Sequence, residues 1–353
     1  MKLLALTRYD KAGPSSRVRF YQFLPLLRKA GFSVEVKPLL DEMYVRRLFS
    51  NAKRSISELL RGYRRRCSLL LKAEQYDLIW IQKELFPWLP WIDGRFLKKT
   101  NKPYVVDFDD AVYHLYDLHR YKLVRTLLGK KIDNLMRGAT TVTVGNKYLA
   151  ERAARAGAGR VEILPSVVDT ERYQMLKTNN AKFTVGWIGT PITEKNLNEV
   201  RSPLGHFTNA DDASKIVLVG ASQNALDGIS RSIVQWTEET EVQAIQSFDV
   251  GIMPLFDNPF ERGKCGYKII QCMACGVPVV ASPVGVNREI VNHGEDGFLA
   301  ETESEWLHYL NILKDDEQMR CRMGQKARAK VENEFSLSRV GPMFAKVLLK
   351  ALQ

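Results

Sequence analysis

Residues 258–287 read NPFERGKCGYKIIQCMACGVPVVASPVGVN. The stretch opens polar and glycine-rich, with Gly263 and Gly266, and carries Lys264 and Lys268. Ile269, Ile270, Met273 and Ala274 then fall at helical spacing; Gly276 ends the helix and Pro278 bars its continuation. Val279–Ala281 has strand composition, and the small polar loop Ser282–Gly285 follows. A loop–helix–strand unit of this kind can hold an anion. Glycines let the backbone approach, helix-start amides point outward, and lysines add charge. The fitting ligand is a phosphate or diphosphate; the alternative is an ordinary crossover helix whose lysines face water.

Outward from this unit the same alternation of strand and helix runs through the chain. Lys2–Thr7, Phe32–Lys37, Tyr76–Gln82, Pro103–Asp107, Thr140–Val144 and Val161–Leu164 read as strands of one sheet. Phe183–Ile188, Ile216–Val219, Ile233–Trp236, Val250–Met253, Val279–Ala281 and the strand into which Asn292–Leu299 turns read as a second. Arg8–Arg19 reads as a loop, Phe20–Ala30 and Lys122–Arg137 as helices. The fold class is α/β: two Rossmann-like parallel-sheet domains facing each other across a cleft. The boundaries are residues 1–165, a polar linker at 166–181, a second domain at 182–335, and a terminal helix at 336–353 expected to pack back toward the first domain.

The net charge of +12 is unevenly placed. Residues 1–176 hold 33 Lys/Arg against 18 Asp/Glu, a net of +15, while residues 177–353 carry −3. A basic half suits nucleic acid or an anionic membrane surface. No nucleic-acid-binding module is recognisable, so nucleic acid is not an expected partner. Arg46–Lys72 is the most basic region, with apolar residues interleaved at near-helical spacing; Arg64, Arg65 and Arg66 are its candidates for contact with a membrane or acceptor. A solvated face over a core stripe is the alternative. Five cysteines do not suggest a disulfide scaffold, and Cys272-x-x-Cys275 has no second pair for a metal. Nothing reads as a signal peptide or a membrane span, which points to the cytoplasm.

Several chemistry-bearing residues fall at strand ends, where open α/β sheets bind ligands. Lys83 and Glu84 follow one strand, with Trp88 and Trp91 in the next loop; Asp109 and Asp110 follow another. These two carboxylates suit a sugar hydroxyl, base catalysis, a metal or a helix cap. The first β-loop-α-β lacks G-x-G-x-x-G, so a dinucleotide is not expected there.

Four elements, taken in order, resemble the retaining nucleotide-sugar glycosyltransferases of the GT-B fold, specifically the large family-four group (glycosyl transferases group 1). They are GPSSRVR from Gly13, PSVVDTERY from Pro165, WIGTPITEKN from Trp187, and QCMACGVPVVASPVG from Gln271. The resemblance spans nearly the whole chain, and its last element is the most specific. It implies that the second domain binds the donor diphosphate through Gly189, Thr190, Lys195, Lys264, Gly266, Tyr267 and Lys268, with Gln271 on the ribose. It places Asp109, Asp110, Lys83 and Glu84 in the catalytic site, beside the Gly13, Ser15, Ser16 and Arg17 loop. The family's two glutamates eight residues apart fall on Gly263 and Gln271, and neither is acidic here.

The expected function is transfer of a sugar from a UDP- or GDP-sugar, with retention, to a lipid-linked or surface-polysaccharide acceptor. No cofactor or metal is expected, and the expected location is the inner face of an anionic membrane. The alternatives are a nucleotide-sugar epimerase of similar fold and a catalytically inactive nucleotide-binding homologue.

Overall fold

The structure is a computed structural model and describes residues 1–49, 55–90, 92–176, 180–210 and 212–353. Lys53, Arg54, Trp91 and part of the expected linker, residues 177–179, lie outside the described residues. The chain divides into two units. The first comprises Met1–Ser166, Arg262–Cys265 and Val340–Gln353; the second comprises Val167–Glu261 and Gly266–Arg339.

The first unit is built on six parallel strands: β1 (Lys2–Leu6), β2 (Ser33–Val36), β3 (Leu78–Gln82), β4 (Tyr104–Phe108), β5 (Thr141–Val144) and β6 (Val161–Ile163). Their order is β2-β1-β3-β4-β5-β6. Central strands such as LIWIQ and YVVDF are buried along their whole length, as a parallel sheet covered on both faces requires. Phe20 stacks on Trp80 at 3.8 Å, and Phe344 of the terminal helix, Leu337–Lys350, packs on the same indole at 4.8 Å. The strand order reverses between β1 and β3, and ligands of such sheets bind at the carboxyl ends beside that switch.

Local departures from the sequence reading have local causes. The expected loop after β1 contains a helix, Pro14–Arg19, because Gly13 is extended and Pro14 supplies a ready first turn. The expected Phe20–Ala30 helix is a 3-10 turn, Tyr21–Phe23, followed by helix Leu24–Lys29 with Pro25 in its first turn. Lys122–Arg137 is two helices, Lys122–Leu128 and Lys131–Gly138. Gly129 makes the turn, where a Cβ would lie 2.3 Å from the Arg125 carbonyl oxygen.

The basic helix Ile56–Leu71 corrects one expectation. Arg66 is buried, and its Nη2 donates to the Thr7 and Lys37 carbonyls at 2.6 and 2.9 Å. Burial, with Arg65 nearby, pushes its guanidinium down to about 9. It pins β1 and β2 from inside and cannot reach a membrane. Arg65 stays exposed while donating to the Pro38 and Leu39 carbonyls at 3.1 Å, and Arg64 is exposed.

The second unit repeats the plan with β7 (Phe183–Ile188), β8 (Ser214–Val219), β9 (Ser232–Val234), β10 (Val250–Met253), β11 (Val279–Ala281) and β12 (Gly297–Leu299), all parallel, in the order β12-β11-β10-β7-β8-β9. Its switch lies between β7 and β10. Helix Tyr267–Ala274 connects β10 to β11 and ends at Gly276, whose φ of +72° lets Val277 N–H reach the Cys272 carbonyl at 3.0 Å. Cys272 and Cys275 are buried and unbridged, and burial pushes the Cys272 thiol up to about 12. Among the described residues, no helix is long and apolar enough to cross a membrane.

Candidate functional site

Each sheet carries a polar cluster at its switch point. In the first unit, β3 ends in Gln82, whose amide oxygen accepts from Ser16 Oγ at 2.8 Å and from the Arg8 N–H at 2.8 Å. Ser16 Oγ also accepts the Tyr9 N–H at 3.2 Å, and Gly13 packs so tightly that a Cβ would lie 2.5 Å from Tyr9 Cβ. The loop after β1 is thereby fixed to the end of β3. Arg17 is buried, its Nη1 3.5 Å from the Lys11 carbonyl.

Lys83 follows with a φ of +62°, which turns its side chain out of the strand register. Its Nζ lies 2.8 Å from Asp109 Oδ1, 2.8 Å from Asp110 Oδ2 and 3.5 Å from Ser15 Oγ. Asp110 Oδ1 accepts from Lys264 Nζ at 3.0 Å, so this carboxylate is clamped by two lysines. Burial works against its charge, yet Lys264 and Lys83 hold the Asp110 carboxyl well below the usual carboxylate range. Lys83 is buried too, and Asp109 and Asp110 keep it protonated far into alkaline pH. At neutral pH the cluster offers a charged ammonium beside a charged carboxylate, a set able to orient a hydroxyl. Below it, Arg19 makes a bidentate pair with Asp107 at 2.6 and 2.9 Å and reaches the Leu164 and Pro165 carbonyls, a buried brace under the loop.

Lys264 belongs to the first unit, not to the diphosphate set where the sequence reading groups it. Asn146 Nδ2 donates to the Gly263 and Lys264 carbonyls at 3.1 and 2.9 Å, and Cys265 Sγ donates to the Asp109 carbonyl at 3.1 Å. The reason position 263 is glycine lies here: a Cβ would sit 2.5 Å from Ala111 Cβ and 2.8 Å from the Ala111 nitrogen. No glutamate fits.

Glu84 is adjacent to Lys83 in sequence but is not part of its cluster. Its buried carboxylate accepts from Tyr116 OH at 2.9 Å and from Lys131 Nζ at 2.7 Å, with Asp93 3.5 Å from the same lysine. Burial pushes Asp93 up to about 6 against the pull of Lys131. The folded state therefore holds this proton more tightly than the unfolded chain. That contribution is full below the ordinary value of 3.8 and is lost as pH rises through about 6. Asp93→Asn is expected to flatten this fall, a difference on the order of 3 kcal/mol in urea unfolding compared across the window.

In the second unit, Gly189 and Thr190 leave β7 at the switch. A Cβ at Gly189 would lie 2.3 Å from the Trp187 ring and 2.8 Å from Lys268 Nζ, so the backbone must be bare here. Lys268 Nζ sits 4.2 Å over the Trp187 ring and donates to Thr193 Oγ1 at 3.2 Å; the same hydroxyl accepts the Thr190 N–H at 3.1 Å. Gly266 starts the helix at a φ of +63°, with no acidic residue and no side-chain cap in the first turn, which also holds half-buried Tyr267. Lys195, its side chain 60% exposed, pairs with buried Glu261 at 3.2 Å, and Asn196 Nδ2 donates to the same carboxylate at 3.3 Å. Bare glycine backbone, an uncapped helix start and lysines are the features that suit an anion.

Gln271 is buried one helical turn on, and its Nε2 donates to Tyr173 OH at 2.8 Å. That phenol donates its one hydrogen to Glu241 at 2.6 Å, and Glu241 also accepts from Trp236 Nε1 and pairs with Arg172. A carboxylate at 271 would offer the phenol no donor and would face Glu241. Gln271→Glu is expected to lower stability by about 1–2 kcal/mol in chemical denaturation. The roles of Asn146 and Glu241 carry no motif, and sequence reading misses them; Tyr173 closes the PSVVDTERY element, but its bond to Gln271 shows only in the fold. Only the missing side chain at Gly263 hinted at the first.

Residues 182–314, which hold the cradle, match the family model described as glycosyl transferases group 1. The chain is 26% identical over 175 residues to the capsular polysaccharide biosynthesis glycosyltransferase CapM of Staphylococcus aureus, covering 47% of this chain and 45% of CapM. It is 30% identical over 96 residues to N-acetyl-alpha-D-glucosaminyl L-malate synthase of Bacillus anthracis, 26% of this chain and 25% of that protein. The matches thus span less than half the length of these curated relatives. Among solved structures, sucrose-phosphate synthase of Thermosynechococcus elongatus superposes with a TM-score of 0.75 at 16% identity, over 99% of both chains. Anabaena HepE in complex with UDP and glucose gives 0.74 at 18% identity, over 99% of this chain and 100% of HepE. The fold is therefore GT-B, as the motif order suggests.

Proposed function

We propose that this chain, which carries a glycosyl transferases group 1 segment within a GT-B fold, is a glycosyltransferase that moves a sugar from a UDP- or GDP-sugar to an acceptor with retention of configuration. The observation that carries the reading is the cradle at the β7–β10 switch. Lys268 over Trp187, Lys195 on Glu261, and the uncapped helix start at Gly266 together suit a diphosphate leaving group. HepE in complex with UDP and glucose supports a nucleotide-sugar donor, and CapM supports a surface-polysaccharide product.

In this reading the cradle stabilises the charge that develops as the sugar–phosphate bond breaks. The leaving diphosphate takes the acceptor proton on the same face, so no enzymic nucleophile is required. Lysines and amides supply the positive charge, and neither a metal nor a cofactor is needed. Asp110, held charged by Lys83 and Lys264, orients the acceptor hydroxyl or the donor sugar. The acceptor is lipid-linked, and the enzyme works peripherally at the inner face of an anionic membrane.

The test is a panel of UDP- and GDP-sugars incubated with membrane lipid extract, reading released nucleotide and the anomeric configuration of the product by NMR. The reading expects one donor to be turned over with its anomer kept. Release of a sugar isomer without transfer would instead indicate an epimerase.

A further inference from the structure

We infer that Trp88 and the segment from Leu118 to Leu127 form the surface that docks on an anionic bilayer; this rests on the reading above that the acceptor is lipid-linked.

Helix Lys122–Leu128 presents apolar residues on two faces. Leu128 is buried, and Val124 packs on the first unit's core. Leu123 and Leu127, also one turn apart, face outward and are 69% and 39% exposed. A helix apolar on both sides needs an apolar neighbour on each, and the chain supplies only the inner one among the described residues. Leu118 and Tyr121, 57% and 55% exposed, extend the outer face.

Trp88 joins it from the loop after β3. Its φ of +65° is a backbone region that disfavours bulky side chains, yet it is held there by its N–H to Tyr116 OH at 3.1 Å. The indole stands edge-on to Tyr116 at 5.2 Å and to His119 at 5.8 Å and remains 46% exposed. An aromatic residue is thus held outward at a conformational cost.

The charge on this surface has one sign. Arg120, Lys122, Arg125 and Lys130 are exposed. The single acid between residues 111 and 132 is Asp117, which is taken up by Arg152 at 2.8 Å and His114 at 2.8 Å. The Arg120 guanidinium lies 4.5 Å over the Tyr121 ring, at the boundary between the apolar and cationic parts. Half-exposed aromatics, outward leucines and unopposed cations suit the headgroup–acyl boundary of an anionic membrane. The Arg64–Arg66 run does not, since Arg66 is spent inside the fold.

The surface is also continuous with the candidate site. The loop that begins at Lys83 carries Trp88, and the loop that begins at Asp109 and Asp110 leads into helix His114–Asp117. Tyr116 OH ties them together, donating to Glu84 while accepting from Trp88. Docking here brings lipid headgroups to the loops that carry the lysine–aspartate cluster, as an acceptor on a lipid carrier requires.

The test is co-sedimentation of the full chain with phosphatidylcholine vesicles, with and without phosphatidylglycerol, paired with a calorimetric titration of UDP and GDP. The protein is expected to partition onto the anionic vesicles only. Arg120→Gln with Lys122→Gln should weaken partitioning about twenty-five-fold, roughly fivefold per charge. Leu123→Ser with Leu127→Ser should weaken it about tenfold, and Arg64→Gln should stay within about twofold. All these side chains are exposed, so unchanged thermal melting shows that folding is intact. A blue shift of tryptophan emission on vesicles, absent in Trp88→Phe, is the second readout. Equal binding by all variants, or equal binding to neutral and anionic vesicles, overturns the inference. So does an apolar variant that alters self-association while vesicle binding is absent, which would point to a protein partner. Nucleotide binding without vesicle binding defeats this inference alone; vesicle binding without nucleotide binding defeats the donor reading and leaves the surface standing.

Discussion

Asp110→Asn is expected to cut sugar transfer about a thousandfold while nucleotide affinity changes less than about twofold. The substitution keeps the side chain's shape and removes its charge. In the folded protein that charge is held by Lys264 at 3.0 Å and Lys83 at 2.8 Å, at the end of β4 and far in sequence from the lysines of the diphosphate cradle. Losing it leaves Lys83 paired with Asp109 alone and removes the carboxylate facing Lys264, where the proposed mechanism brings the acceptor hydroxyl. The pH behaviour follows with a definite sign. Because Asp110 is held below the usual carboxylate range, its contribution is present throughout neutral and mildly acidic pH. It disappears only as pH falls through that depressed value, so no fall in activity between about pH 4 and 5 should be traceable to it. Steady-state kinetics with the preferred donor checks both points; a variant within about fivefold of the parent removes Asp110 from the chemistry.

Lys268→Ala is expected to weaken UDP or GDP binding about a hundredfold, and Lys195→Ala about tenfold. The difference comes from placement. Lys268 is fixed between the Trp187 ring at 4.2 Å and Thr193 Oγ1 at 3.2 Å, in the first turn of a helix whose start has no acidic residue. Its charge adds to the helix-start amides at one point. Lys195 is 60% exposed and tied to Glu261, so solvent screens it and part of its charge is already answered. Calorimetric titration of the two variants and the parent measures the order; equal, undiminished affinities would remove the anion cradle from the account.

Much of this architecture was legible in the residues. Buried strands such as LIWIQ and VVA are short apolar runs between turn residues, and the twelve strands among the described residues stand where the pattern puts them, to within a few residues. Gly276 and Pro278 marked a helix end that the structure realises at a positive φ. Breaks within helices were less legible. Whether Gly129 is tolerated in a helix or makes a turn depends on what packs beside it.

The candidate site was legible by residue type but not by grouping. Lys83, Asp109 and Asp110 lie at strand ends, where position alone marks them, and the fold brings them together. Lys264 is four residues from Lys268, and spacing joins those two. The fold assigns Lys264 to the first unit, through Asn146 on β5's loop and the closeness of Gly263 to Ala111. Arg66 shows the same limit. A basic run reads as solvated or membrane-facing, and only three-dimensional packing shows that one of its arginines serves the Thr7 and Lys37 carbonyls just past β1 and β2.

The central claim is that the β7–β10 switch binds a nucleoside diphosphate. Calorimetric titration of the intact protein with UMP, UDP, GMP and GDP tests it most directly. The account predicts that one diphosphate binds at least about tenfold more tightly than its monophosphate, and that Lys268→Ala abolishes this preference. Equal affinity for mono- and diphosphate, or no binding of any of the four, would contradict it.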